Sequence, residues 1–184
     1  VQKAKRETPI NKIMISQNEN WKMKILGQLN VYKRAPYYNE VIQLVNDTLG
    51  IQTSSISDMA IASIVKTCEY LGIHMKSDVF SEMNLRIPNV NAPDEWALYI
   101  TKESGYDTYV NPPGGRSFFD PEKYKKHNID LQFLEQEIVP YRQKGKEFIP
   151  ALSIIDVMMF CSKDQIASML RQYQIRRKNE NGYQ

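Results

Sequence analysis

Residues 58–138 alternate between helical and strand periodicities, and this alternation constrains the fold more than any other feature of the chain. Ile61, Ile64, Val65, Cys68 and Leu71 recur at helical spacing, and Gly72 follows as a terminator. Ile73–Met75 and Val79–Phe80 read as parts of a strand. Pro93 suits the first turn of a further helix, with Trp96 and Ile100 one turn apart and Gly105 as its stop. Asp107–Val110 is a short strand pattern. Asp120–Pro121 pairs a cap with a first-turn proline and opens a short helix to about Lys126. Ile129–Ile138 alternates partly and reads as a strand. This is the order of βαβ units. It predicts an α/β fold, rich in helix, with a small, mostly parallel sheet and helices on both faces.

The flanks add helices. Lys12–Ser16 is a strand candidate, and Asn18 offers a cap for a helix with Trp21, Ile25, Leu29 and Tyr32 on one face. Pro36 ends it, because proline restricts the residue before it. A second helix is expected over Tyr37–Leu49 and a third after Ser57 as its cap, while Pro150–Phe160 and Asp164–Arg176 read as two closing helices. The 184 residues suffice for one domain with a sizeable core, spanning 1–184. The chain opens on Val1 and soon enters a strand pattern, so a native N-terminal segment is expected upstream.

Charge and cysteine usage narrow the function classes. A net charge of +3 is too small to argue for nucleic acid. The basic residues gather at the two ends (Lys3, Lys5 and Arg6; Arg171, Arg176, Arg177 and Lys178) and read as solvated surface. Cys68 and Cys161 lie far apart, and His74 and His127 have no partner at ligand spacing, so neither a disulfide framework nor a metal site is expected. No apolar run reaches the roughly 20 residues of a membrane span, and no signal peptide is visible, which points to the cytoplasm. Without a Ser-His-Asp or Cys-His arrangement no acyl-enzyme machinery is expected. Glu135 and Glu137 share one face of a strand and read as a solvated edge.

Three constellations remain. In NPPGGRSFFD, residues 111–120, a strand ends and a helix begins, which is where open α/β sheets bind ligands. Gly114 and Gly115 permit close backbone approach or positive φ, and Arg116 suits a phosphate or carboxylate. A plain strand-to-helix turn explains the same residues. In Ser153–Asp156 the serine and acid form a capping box; the alternative is a carboxylate facing a pocket as a base or amine partner. The segment from Tyr32 to Tyr38 crowds Lys33, Arg34 and three tyrosines at a helix–helix corner. Tyrosines packed with wet hydroxyls account for it, as does a phosphate or sugar site with aromatic faces such as Tyr37 and a cation at Arg34.

Four segments together, NWKMKILGQLNVYKRAPYY, SDMAIASIVKTCEYLGI, GYDTYVNPPGGRSFFD and EFIPALSIIDVMMFCS, resemble the WbqC-like family of bacteria. The resemblance runs from Lys5 to about Leu170. It implies a cytosolic protein of surface-polysaccharide (O-antigen or capsule) biosynthesis, described as a transferase that adds glycine or a related acyl group to a sugar. The family's basic-Ala-Pro-aromatic corner falls on Arg34, Ala35, Pro36 and Tyr37, its Gly-Gly turn on Gly114 and Gly115, and its Ser-Ile-Ile-Asp run on Ser153 to Asp156. A family histidine is replaced near Ile25, and the usual Ser-Gly after the strand is Asn111-Pro112 here. The family's Gln-Pro and aromatic-rich opening segment is absent.

The resulting expectation is an enzyme acylating a nucleotide- or lipid-linked amino sugar. Asp156 would serve as base or amine orienter, Gly114 and Gly115 as oxyanion donors, and Arg34 and Arg116 as anion holders, with Tyr37, Asn111 and Ser153 lining the substrate. No cofactor is specified. The second expectation is a non-catalytic ligand-binding or scaffolding module of the same pathway.

Overall fold

The computed structural model describes residues 1–17, 20–179 and 182–183, so the Asn18 cap lies outside the described residues. The chain forms two compact units, one from Val1–Ser77 with Ile138–Met169 and one from Asp78–Glu137 with Leu170–Gln184.

The first unit is helical. It contains α1 (Trp21–Leu29), α2 (Tyr38–Leu49), α3 (Ile56–Tyr70), α6 (Ile154–Phe160) and α7 (Lys163–Leu170). A 3-10 turn over Asn30–Tyr32 extends α1, and the chain turns at Pro36 as expected. Ala35, Val41, Met158, Met159, Cys161 and Ile166 form the buried core, so α2, α6 and α7 each contribute one apolar face. The predicted strand at Lys12–Ser16 shrinks to a bridge between Met14 and Ser55. That bridge also moves the α3 cap. Ile56 N–H donates to the Ile13 carbonyl, and the Ser55 hydroxyl accepts from Asp58 N–H at 3.2 Å, so Ser55 rather than Ser57 caps the helix. Helix α6 starts at Ile154, later than Pro150, because Ala151 sits at φ +57°, outside helical space. Ser162 and Gln165 cap α7 reciprocally, at 3.2 Å and 2.8 Å.

The second unit carries the sheet. It holds β1 (Thr108–Asn111), β2 (Asp130–Gln136), β3 (Tyr173–Asn179) and the two-residue β4 (Gly182–Tyr183), in the order β1-β2-β3-β4. The helices α4 (Glu95–Glu103) and α5 (Pro121–Lys126) pack against β1 and β2 respectively. The fold class is α/β as expected, but the sheet is mixed. Only β1 and β2 run parallel, joined through α5; β2–β3 and β3–β4 are antiparallel. Two expectations fail here. Ile73–Met75 and Val79–Phe80 form no strand: Ile73, Met75 and Phe80 are exposed, and Phe80–Glu82 is a 3-10 turn. The expected helix Asp164–Arg176 ends at Leu170, and the residues from Tyr173 onward become β3.

The reason for β3 is chemical. Tyr173 and Ile175 alternate with Gln174 and Arg176, a period of two. The basic residues then meet acids across the ladder. Arg177 Nε donates to Asp130 Oδ1 at 2.8 Å, and Arg176 pairs with Glu135 at 2.7 Å. Lys178 Nζ donates to the Phe119 carbonyl at 2.9 Å. Arg176, Arg177 and Lys178 of the C-terminal basic cluster thus make contacts from β3 rather than forming a solvated tail, while Arg171 is exposed, and Glu135 is paired rather than a bare edge residue.

One face of β2 buries Leu131 and Phe133 against Leu98, Phe119, Tyr124 and Ile129. Phe119 meets Phe133 edge-on at 5.9 Å, and Tyr109 stacks on Phe119 at 5.7 Å. Asp94 is buried beneath this cluster. Its carboxylate accepts from Asp120 N–H at 3.2 Å and from Lys123 Nζ at 3.1 Å, and its carbonyl accepts from the Tyr124 hydroxyl at 2.8 Å. Glu95 shares Lys123 and also accepts from the Asn91 and Ala92 amides, which hold its carboxyl below the usual range, the Asn91 amide foremost.

Candidate ligand-binding cleft

The turn from Asn30 to Pro36 and the segment Arg142–Lys144 border a cleft of about 670 Å³ in the first unit. Its charge is one-sided. Lys33, Arg34, Arg142 and Lys144 all line it, and no acidic residue does. All four are exposed, and among the described residues none of them is in an ion pair. Four unpaired cations around one concavity repel one another and raise the local potential for an anion. Tyr32 and Phe160 supply aromatic walls, with ring centroids 6.0 Å apart in an edge-on arrangement.

Behind this lining lies Asp156. It sits in the first turn of α6 and is 6% exposed. The Tyr32 hydroxyl donates to Oδ2 at 2.8 Å, and the Tyr141 hydroxyl donates to Oδ1 at 2.6 Å. Burial, reinforced by the carboxylate, pushes both phenols up to about 12, so both remain donors at neutral pH. Burial, and the same carboxylate after it, also raise the Cys161 thiol, which marks it as an inert core thiol. Ser153 caps α6, its hydroxyl accepting from Ile155 N–H at 3.3 Å.

The sequence-predicted residues therefore divide. Arg34 lines the cleft, and Asp156 stands behind it. Tyr37 is half-buried at the start of α2, packs on the core and donates its amide to the Met159 carbonyl at 3.2 Å. Ser153 serves as a helix cap. Sequence reasoning missed Tyr141, Arg142 and Lys144. The signal was present: Tyr141-Arg142-Gln143-Lys144 repeats the tyrosine-then-cations order of Tyr32-Lys33-Arg34.

Asn111, Gly114, Gly115 and Arg116 belong to the second unit. Asn111, Pro112 and Pro113 line a separate hollow of about 450 Å³ with Val110, Leu134 and Gln136, at the carboxyl end of β1. The rest of the loop is occupied structurally. The Asn111 side chain accepts from the Tyr109 hydroxyl at 2.9 Å and donates to the Pro112 carbonyl at 2.7 Å. Neither glycine has positive φ. The amides of Gly115 and Arg116 donate within their own 3-10 turn, to Pro112 and Pro113. Arg116 is 12% exposed, lies 5.0 Å over the Phe133 ring and pairs with Glu135 at 2.7 Å.

The two glycines differ in a testable way. A Cβ on Gly115 would stand 2.5 Å from Asn111 Nδ2 and 2.8 Å from Phe119 Cε2, whereas one on Gly114 meets nothing within 4 Å. Gly115→Ala is expected to cost about 1–3 kcal/mol in urea unfolding, as overpacking does. Gly114→Ala should fall within about 0.5 kcal/mol of the parent, as an open surface change does. Equal losses at both positions would show that the loop backbone, rather than the close approach at Gly115, sets the requirement.

A sequence model of the WbqC-like protein family matches residues 1–168. The chain belongs to the WbqC-like protein family. No curated protein and no solved structure matches it. In this WbqC-like chain Arg34, Ala35 and Pro36 form part of the cleft wall, and Asp156 is the carboxylate behind it. Among the described residues no group of His, Cys, Asp and Glu could hold a metal ion, and no helix is long and apolar enough to cross a membrane.

Proposed function

We propose that this WbqC-like chain acts in bacterial surface-glycan biosynthesis, transferring a glycyl or other acyl group to an amino sugar carried on a nucleotide or lipid. The observation that carries the reading is the cleft with Lys33, Arg34, Arg142 and Lys144 and no acidic lining. Nucleotide-linked and lipid-linked sugars share a phosphate-ester linkage, and unpaired cations beside aromatic faces are the chemistry that recognises it. Tyr32 and Phe160 offer faces for a pyranose or a base. The transfer itself would join the sugar amine to the donor carbonyl carbon, expel the donor's leaving group and release the amine proton. Tyr32, hydrogen-bonded to Asp156, is the cleft residue placed to orient that amine.

Titration calorimetry with a UDP-linked amino sugar, followed by a transfer assay with activated glycine, tests this. Binding is expected for the parent, and Arg34→Ala and Arg142→Ala should each weaken it about tenfold, the loss of one charge-assisted contact. Absence of binding by the parent would sink the proposal. A second reading draws on a specific observation: the cleft lining contains no His, Cys, Ser, Asp or Glu, and Asp156 already accepts on both oxygens. It describes a non-catalytic ligand-binding or scaffolding module. Tight binding without transfer across activated glycyl and acyl donors would select it.

A further inference from the structure

The cleft has two cationic walls that are separate in sequence, and one buried group touches the root of each. Tyr32 immediately precedes Lys33 and Arg34, and Tyr141 immediately precedes Arg142 and Lys144. Both hydroxyls end on Asp156, one on each carboxylate oxygen. We infer that Asp156 is a positioning residue that fixes both cationic walls at once, holding Lys33 and Arg34 through Tyr32 and Arg142 and Lys144 through Tyr141. This rests on the anion-binding reading of the cleft and assigns its preorganisation.

The physical need is plain. Four like charges around one concavity drive its walls apart, and long cationic side chains lose rotamer freedom when they bind. A rigid backbone beneath them reduces what binding must order. The second wall is fastened a further time from its own side: the Gln143 amide donates to the Ile149 carbonyl at 2.9 Å and accepts from Ile149 N–H at 2.8 Å. The first wall runs into Pro36 and the buried Ala35, so it too is held at its base. What remains is the distance between the walls, and the Tyr32–Asp156–Tyr141 bridge sets it.

Charge and position predict opposite signs, which makes the assignment testable. As a charge, Asp156 opposes an anion in the cleft, so Asp156→Asn should tighten binding. As a positioning residue, its loss should weaken binding: the two tyrosines sit on different carboxylate oxygens, asparagine replaces one of these with an NH2 that cannot accept, and the contacts that remain are neutral ones, weaker than those to a carboxylate. The experiment is calorimetric titration of the full chain with inorganic pyrophosphate, for the parent, Asp156→Asn, Tyr32→Phe, Tyr141→Phe and the double Tyr→Phe variant. Folding of each is checked by thermal unfolding. Weakening of about tenfold in Asp156→Asn, and of severalfold in each Tyr→Phe variant with the cleft's charges intact, supports the inference. Tighter or unchanged binding in Asp156→Asn overturns it. If Asp156→Asn does not fold, the Tyr→Phe variants decide on the same terms. A parent that binds no pyrophosphate removes the anion-binding reading and this inference with it; a parent that binds while its variants bind equally removes this inference alone.

Discussion

Replacing Phe133 with alanine is expected to destabilise the sheet-bearing unit by about 3–5 kcal/mol, the range for truncating a buried aromatic. Phe133 is fully buried in the middle of β2, meets Phe119 edge-on and lies beneath the Arg116 guanidinium. Truncation leaves a void where Phe119, Leu131 and Tyr124 now converge, and close-packed neighbours collapse only partly into such a space. It also strips the ring from a cation that is largely out of water. Urea unfolding followed by aromatic fluorescence and by amide exchange in β2 would measure the loss. Phe133→Leu, which keeps most of the volume, should recover much of it. A loss below about 1 kcal/mol for alanine would mean that this cluster is not the centre of the unit's stability.

Asp94→Ala is expected to cost about 3 kcal/mol, and by a different route. Asp94 is 1% exposed, and its carboxylate is the acceptor for both the Asp120 amide and the Lys123 ammonium. Removing it leaves the amide that begins the α5 cap without its acceptor and takes from Lys123 one of its two carboxylate partners. The cost follows from the part-buried Asp120 amide losing its acceptor and Lys123 one of its two, rather than from lost Coulomb energy alone. Asp94→Asn keeps an oxygen for the Asp120 amide and should lose less. Thermal unfolding of both variants separates the cases: equal losses would assign the effect to charge, and a smaller loss for asparagine to hydrogen bonding.

Local signals in the sequence placed most of the helices. Pro121 behind Asp120, Pro36, Gly72 and Gly105 each act at short range, through fixed φ, a cap or left-handed backbone, and each sits where such chemistry puts it. What local signals could not carry is pairing. Tyr173–Asn179 follows α7 closely and its apolar residues suit a helix end, yet its acidic partners Asp130 and Glu135 lie on a strand far earlier in the chain. Val79–Phe80 shows the converse, a strand-like pair that joins no strand and runs into a 3-10 turn. The site divided along the same line. Arg34 and Asp156 were legible as a cationic corner and an acid on an apolar helix. Tyr141 was not, because its role appears only when the segment before α6 folds back to a carboxylate 15 residues later. Arg116 read as a free cation because Glu135, its partner, lies on the neighbouring strand.

The interleaving of the two units bears on how the chain is made. The first unit is not closed until Ile138–Met169 has emerged, and β2 gains its second neighbour only when Tyr173–Asn179 has followed. During vectorial synthesis, then, the β1–α5–β2 segment waits with one β2 edge bare, its backbone donors and acceptors open to any passing strand. Asp130 on that waiting strand carries its charge before Arg177 arrives, whereas Glu135 already has Arg116 from the preceding loop as a partner. The Asp130–Arg177 pair of the finished sheet would then have an earlier task, its carboxylate alone keeping a nascent edge in water until the last strand reaches it.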